Sequence, residues 1–302
     1  MHGIVNLDKP IGKTSHDCVM MLRRLFQTKK VGHTGTLDPE VRGVLPICIG
    51  EATKIVPYLT DTKKTYQAEV TIGVATDTED QTGKVIDKQT VDKPMTVAMV
   101  EAALALFNGE ITQVTPLYSA VKVNGKKLYE YARNNIPVER PLRHVHIYAL
   151  HLIEDSLVQS MGTVTFKIEA TVSKGTYIRT LAKDIGTTLG YPAHMSHLVR
   201  TQVATFKLED AVTFEQLSQL KANGDIETAL LPVMDGLRHL PVYQVSGDLR
   251  QRVEYGQKLE KPEGWQDDQP YVVLNEDRLL AIYQSHPEDR ALIKSMRGFN
   301  LT

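Results

Sequence analysis

The stretch TYQAEVTIGV, residues 65–74, is apolar at every second position: Tyr66, Ala68, Val70 and Ile72 fall on one face, Gln67, Glu69 and Thr71 on the other. Side chains of an extended chain alternate between two faces, so this is a strand with one side buried and Tyr66 turned inward. Such a strand needs partner strands and a cover for its apolar face, and the flanking sequence provides both. Upstream, Thr14 and Ser15 are good caps for a helix in which Val19, Leu22 and Phe26 recur at helical spacing, with Asp17 in the first turn. Downstream, TVAMVEAALALF (96–107) reads as a helix, and SAVKVNGKKLYEYAR (119–133) as a strand, an Asn-Gly turn and a helix. Residues 145–150 and 163–172 read as strands. TYIRTLAKDIGTTLG (176–190) is a helix with Leu181, Ile185 and Leu189 at spacing four, stopped by Gly190. Strands and helices mix without a regular βαβ repeat, which predicts an α+β protein rather than a doubly wound parallel one.

After LLPVMDGLRHLP (230–241) the texture changes to short strands with turn signals, among them the apparent hairpin YVVLNEDRLLAIY (271–283). A boundary near 240 is therefore expected, giving a large domain over 1–240 and a small β-rich one over 241–302. A chain of 302 residues is long enough for two domains of unequal size.

Lys plus Arg number 35 against 36 Asp plus Glu, so net charge argues neither for nor against a polyanionic partner. The distribution is more telling. RRLFQTKK (23–30) is basic, and the segment 121–144 holds Lys122, Lys126, Lys127, Arg133, Arg140 and Arg143 against Glu130 and Glu139. A basic face on the larger domain competes here with an ordinary solvated helix surface. Cys18 and Cys48 lack CxxC spacing and sit among apolar residues, as buried thiols of a reducing compartment do. The N-terminus lacks the pattern of a signal peptide, and no apolar run approaches the roughly 18 residues of a membrane span. A cytoplasmic location is expected.

VGHTGTLDPE (31–40) is the stretch that points to chemistry. Gly32 and Gly35 permit backbone conformations closed to other residues, and Pro39 drives Asp38 toward extended geometry, so a shaped loop presents one carboxylate. A turn aspartate capping its own neighbours is the plain alternative. A phosphate-binding loop is excluded, because no Lys-Ser/Thr pair follows in frame and GKTS (12–15) lacks the first glycine of that motif. His144, His146 and His151 suggest a metal only weakly; without a carboxylate or cysteine partner they read as a solvated strand face.

Taken in order, NLDKPIGKTSHDCV, KKVGHTGTLDP with GVLPICIGEATK, KTYQAEVTIGVATDTED, PLYSAVKVNGKKLYEYAR and VSKGTYIRTLAKDIGTTLG resemble the TruB family of bacterial tRNA pseudouridine-55 synthases, over about residues 3 to 207. The resemblance implies a pseudouridine-synthase fold, a mixed and largely antiparallel sheet flanked by helices, followed by a C-terminal PUA-like RNA-binding domain. It implies isomerisation of the T-loop uridine at tRNA position 55 by base flipping and aspartate-dependent cleavage and re-formation of the glycosidic bond. Asp38 would be the catalytic aspartate, Tyr66 would stack on the uracil and assist proton removal from C5, and Arg179 would pair with Asp38. Tyr177 would pack in the pocket, Leu198 would wall the base, and His33 would enter the RNA loop in place of the flipped nucleotide. Asp80 would belong to the RNA-facing hydrogen-bonded surface, and Lys9 and Pro10 would support the cleft floor. The expected partner is the T-arm stem-loop of tRNA, with no cofactor, no metal, no membrane and a monomeric chain. Val41 and Arg42, Val172 and Ala204 depart from the family pattern, and Arg42 is placed to alter RNA contacts. Two rivals stand at this stage: a non-catalytic RNA-binding protein using the same cleft, and a carboxylate-dependent glycosidase or nucleosidase, for which no second acid is identifiable.

Overall fold

The computed structural model describes residues 1–301. Strand β1 (Gly3–Lys9) leads to helix α1 (Ser15–Leu25), then β2 (Val31–His33), β3 (Arg42–Ile49) and the short α2 (Val56–Thr60). β4 (Lys64–Ile72), a small hairpin of β5 (Val74–Thr76) and β6 (Val85–Lys88), α3 (Val97–Ala105) and β7 (Gly109–Val114) follow. An excursion then carries β8 (Lys122–Val123), β9 (Lys126–Lys127) and α4 (Leu128–Arg133). β10 (Leu142–Leu152), β11 (Val158–Ser160), β12 (Thr163–Val172), α5 (Ile178–Thr188), β13 (Ala193–Val203), β14 (Phe206–Lys207) and α6 (Phe214–Asn223) complete this part.

The large sheet runs in the order β1-β3-β13-β4-β12-β10-β7, with β2, β11 and β14 attached at its margins. Every pairing in it is antiparallel except the short parallel contact of β13 with β3. β4 lies mid-sheet, and its residues 64–72 alternate buried and half-exposed as the pattern of Tyr66, Ala68, Val70 and Ile72 requires. Val100 and Leu104 of α3 and Leu181 and Ile185 of α5 cover that face, packing on Val70, Ile72, Phe166 and Ile168. α1 is capped by a reciprocal pair: the Thr14 hydroxyl accepts from the Asp17 amide at 3.0 Å, and the Asp17 carboxylate accepts from the Thr14 amide at 2.9 Å. Its Cys18, Val19 and Leu22 fill a second core with Leu7, Leu45, Ile47 and Leu217. Both cysteines are free and buried. No helix among the described residues is long and apolar enough to cross a membrane.

A separate five-stranded sheet is built from β15 (Val242–Gln244), β16 (Leu259–Glu260), β17 (Tyr271–Asn275), β18 (Arg278–Ser285) and β19 (Leu292–Gly298), with α7 (Gly247–Glu254) between its first two strands. It has a small core of its own around Val253, Val273, Leu280, Tyr283 and Ile293. Its other apolar residues, Val272, Leu274, Leu279, Ile282 and Phe299, join one cluster with Ile4, Val44, Ile55 and Leu59 of the larger part. A continuous apolar contact thus fixes the small sheet against the large one.

The parallel contact between β3 and β13 depends on Gly43, which has φ +127° and lies opposite Arg200. A Cβ at Gly43 would stand 2.2 Å from the Arg200 carbonyl oxygen and 2.8 Å from its nitrogen, both backbone atoms that cannot yield alone. Gly109 has φ +96° with nothing within 4 Å of its Cβ position, so it isolates the backbone strain from the clash. Gly109→Ala is expected to cost about 1 kcal/mol and Gly43→Ala more than about 3 kcal/mol, read from denaturant midpoints at unchanged slope.

Candidate active site

The loop over residues 34–41 joins β2 to β3 and is anchored on both sides of Asp38. Leu37 and Val41 are buried in the main core. The Ser15 hydroxyl accepts from the Leu37 amide at 2.9 Å. Lys9 is fully buried and donates to the carbonyls of Pro10 (2.9 Å), Pro39 (3.1 Å) and Val41 (2.7 Å). Burial holds its pKa below the ordinary lysine value, and three carbonyl dipoles rather than a carboxylate satisfy the ammonium. Lys9 and the neighbouring Pro10 therefore lie beneath the loop and shape it from below, outside the cleft lining. Of the two glycines, only Gly35 uses the freedom expected of it, with φ +151°. Gly32 stays in the ordinary range inside β2, with Val56 Cγ2 3.3 Å from its Cβ position.

Pinned in this way, Asp38 projects into a cleft of ≈ 620 Å³ with its side chain 51% exposed. Arg179, on the first turn of α5 and only 9% exposed, brings Nη2 to 3.4 Å from Asp38 Oδ2. The guanidinium is aimed by other groups as well. Nη1 donates to the Thr78 carbonyl at 3.0 Å and Nη2 to the Tyr118 carbonyl at 3.1 Å. Asp80 Oδ2 lies 3.6 Å from Nη1. The Asp80 carboxylate also accepts from the hydroxyls of Thr78 (2.7 Å) and Thr82 (2.6 Å) and from the Thr82 amide (2.9 Å). Asp80 is thus a mostly buried organiser of its own turn and a second counterion for Arg179; it lines a smaller recess beside the main cleft. The adjacent Glu79, at φ +63°, fastens this turn to α5 by accepting from Thr180 Oγ1 (2.8 Å) and pairing with Lys183 Nζ (3.1 Å).

Tyr66, Tyr177 and Leu198 line the same cleft as Asp38 and Arg179, so the fold gathers five of the residues singled out in the sequence. Tyr66 comes from the middle of the sheet, flanked in register by Ala170 and Arg200. Tyr177 immediately precedes α5, where Gln113 holds its backbone through a reciprocal pair of bonds at 2.9 and 3.1 Å. The Arg143 guanidinium lies 5.9 Å from the centre of the Tyr177 ring. His33 stands apart, on β2 two residues before Gly35, the first residue of the loop to line the cleft. Burial, and then the nearby Arg200, keep its pKa below the usual histidine value, which favours a neutral ring at pH 7. Arg42 is engaged by Asp8, its Nε at 3.1 Å from both carboxylate oxygens and Nη2 at 2.7 Å from Oδ2.

Three residues of the cleft region escaped the sequence reading. Gln113 reads as any polar residue of a strand, and Lys64 as one of a surface pair with Lys63. Arg200 reads as part of a basic strand end, yet it is 1% exposed and donates from Nε to the Val44 carbonyl at 2.7 Å. The available signal was weak: Lys64 continues the inward alternation of Tyr66, Ala68, Val70 and Ile72, whereas Arg200 is brought into line with inward apolar residues by the bulges of β13.

One cleft on the mixed sheet thus holds a buried guanidinium against a half-exposed aspartate, with an inward tyrosine in the same wall. The chain superposes with a TM-score of 0.72 on a crystal structure of a Cbf5–Nop10–Gar1 complex, at 29% identity over 94% of this chain and 78% of that one. The score is also 0.72 with a structure of an H/ACA ribonucleoprotein bound to a substrate RNA containing 2′-deoxyuridine, at 25% identity over 98% and 84% of the two chains. The model of the TruB family pseudouridylate synthase N-terminal domain matches residues 23–178, and that of the tRNA pseudouridylate synthase B C-terminal domain matches 179–238. The chain is 53% identical over 301 residues to the tRNA pseudouridine synthase B of Oceanobacillus iheyensis, covering 99% of this chain and 98% of that one. To its Bacillus subtilis counterpart it is 49% identical over 299 residues, covering 97% and 96%. It belongs to the TruB family of pseudouridylate synthases.

The clamp beneath the loop is testable without any substrate. Lys9→Met removes all three donors from carbonyls that stay shielded, and should cost about 2–4 kcal/mol of stability. The Val41 amide, which donates to the Asp38 carbonyl at 3.0 Å, should then exchange with solvent at least ~10-fold faster than the global loss of stability explains. Unchanged relative exchange at Val41 would remove Lys9 from its role in shaping the loop.

Proposed function

We propose that this protein isomerises the T-loop uridine at position 55 of tRNA to pseudouridine, with Asp38 acting at C1′ of the ribose. The observation that carries the reading is the Asp38–Arg179 pair set in a cleft whose remaining wall includes Tyr66, Tyr177 and Leu198. Uridine and pseudouridine are isomers: the N1–C1′ bond breaks, the uracil turns, C5 joins C1′, and the C5 proton leaves as N1 regains one. No electron or group donor enters this balance.

The ionised carboxylate has two routes open to it, attack on C1′ as a nucleophile or removal of a ribose proton to give a glycal. In either case Asp38 must stay charged when RNA shuts water out of the cleft. The field of a buried Arg179 then counts for far more than in the open, half-exposed state. The uridine has to leave its stack, at a cost of a few kcal/mol, which Tyr66 offsets by stacking worth roughly 1–3 kcal/mol. A neutral His33 ring suits insertion among bases of the RNA loop. The basic excursion over 121–144, which carries Tyr129 to the cleft and leaves Lys122 and Lys126 exposed, is the natural grip on the T stem. We assign residues 1–240 to catalysis and 241–302 to a PUA-like RNA-binding domain, because the second sheet begins at Val242 and has its own core.

The decisive experiment is tritium release from tRNA labelled at uracil C5, with the product mapped by sequencing. Release should occur at the T-loop uridine and vanish in Asp38→Asn; tight tRNA binding without release in the unaltered protein would support an RNA-binding role instead. Arg179→Lys keeps a charge and gives up the planar fork, so kcat should fall at least ~100-fold while the Kd for tRNA changes by less than about threefold. Equal losses in both would count against a catalytic pairing.

A further inference from the structure

The lining of the cleft holds two buried cations that the reading above leaves without work. Lys64, at the start of β4, has its ammonium satisfied by the carbonyls of Thr60 and Thr62, both at 2.7 Å. Arg200 on β13 spends Nε on the Val44 carbonyl and Nη2 on the Gly35 carbonyl at 3.3 Å. Neither has a carboxylate partner within ion-pair distance among the described residues. Both converge on Gly35: a Cβ there would stand 3.6 Å from Arg200 Nη1 and 3.9 Å from Lys64 Cε. Both side chains also line the cleft.

Two like charges held close and out of water repel each other and lose hydration, a destabilising arrangement unless an anion is bound. Burial first, and then the charge of Arg200, lower the Lys64 pKa to about 8, with Asp61 opposing and Lys174 adding to the depression. The local carboxylate, Asp61, is already paired with Lys174 at 2.6 Å. No carboxylate among the described residues is left to pair with them, so an anion brought by the occupant of the cleft beside Gly35, three residues before Asp38, would relieve the repulsion.

We propose that Lys64 and Arg200 form the binding site for one phosphodiester of the RNA adjacent to the reacting nucleotide. The assignment rests on the RNA-isomerase reading and adds to it the group that fixes the ribose over Asp38. A planar guanidinium gives a phosphate two directed donors, and the ammonium supplies a point charge beside it. Gly35 is required between them because any side chain would occupy the space of the anion's approach. Because the phosphate is fixed on the same loop that carries Asp38, C1′ of the attached ribose is positioned with few intervening rotatable bonds.

The test is a charge-deletion cycle. T-arm hairpins are made with a single uncharged methylphosphonate at each linkage near the target uridine, and bound to the unaltered protein and to Lys64→Met. One linkage should weaken binding to the unaltered protein about 10-fold or more, as loss of a charge-assisted contact does. The same linkage should have an effect at least about threefold smaller in Lys64→Met, where Arg200 alone is left to meet it. Losses that multiply independently would overturn the assignment. So would the absence of any sensitive linkage with the unaltered protein, an arm that needs no variant. Pseudouridine formation on the fully charged hairpin, measured beside it, separates failure of this site from failure of the isomerase reading.

Discussion

The site depends on where one guanidinium is allowed to be. Arg179 is nearly buried, and its nitrogens reach the loop of Asp38, the turn of Thr78 and Asp80, and the carbonyl of Tyr118 at the start of the excursion. Three chain segments distant in sequence are thereby tied to the first turn of α5. A buried cation tolerates no unfilled donor, so each of these segments must be in place before the charge is acceptable there. The same demand is what keeps the Asp38 carboxylate close to its partner while leaving it half open to the cleft.

Beneath that contact lies a second level of positioning that uses dipoles instead of charges. Lys9 gathers carbonyls of Pro10, Pro39 and Val41, and Ser15 holds the backbone of Leu37, so the residues on either side of Asp38 are fixed while its side chain is not. Gly43 allows β3 and β13 to run side by side at the one parallel contact of the sheet, and that contact sets Arg200 against the loop. Packing, carbonyl clamps and ion pairs therefore act in series. The core fixes the strands, the strands fix the buried cations, and the cations fix the loop that presents Asp38.

The electrostatic character of the cleft follows from this order. One carboxylate faces a wall containing Arg179, Arg200, Lys64 and Lys174, although the chain as a whole is close to neutral. Acidic residues are directed elsewhere, Glu79 and Asp80 into the turn beside α5 and Asp61 onto Lys174. A polyanion meets a locally positive cavity that whole-chain charge does not disclose.

The sequence by itself determined several of the elements and singled out Asp38 as the candidate acid. Period-two alternation placed β4 and turned Tyr66 inward, spacing of four placed α5, and the Thr14–Asp17 pair started α1, because these signals are local and survive without knowledge of the fold. The run of family motifs named Asp38, Tyr66, Arg179, Tyr177 and Leu198, which the fold brings to one cleft. The tertiary structure alone decided the rest. It turned Asp80 toward Arg179, drew Lys9 under the loop, gave Arg42 to Asp8, and buried Lys64 and Arg200 beside Gly35. It also fused the small sheet to the large one through Val272, Leu274 and Phe299. Those outcomes hinge on what stands across a gap of tens to hundreds of residues. A charged side chain carries no local sign of whether water or a carbonyl will meet it.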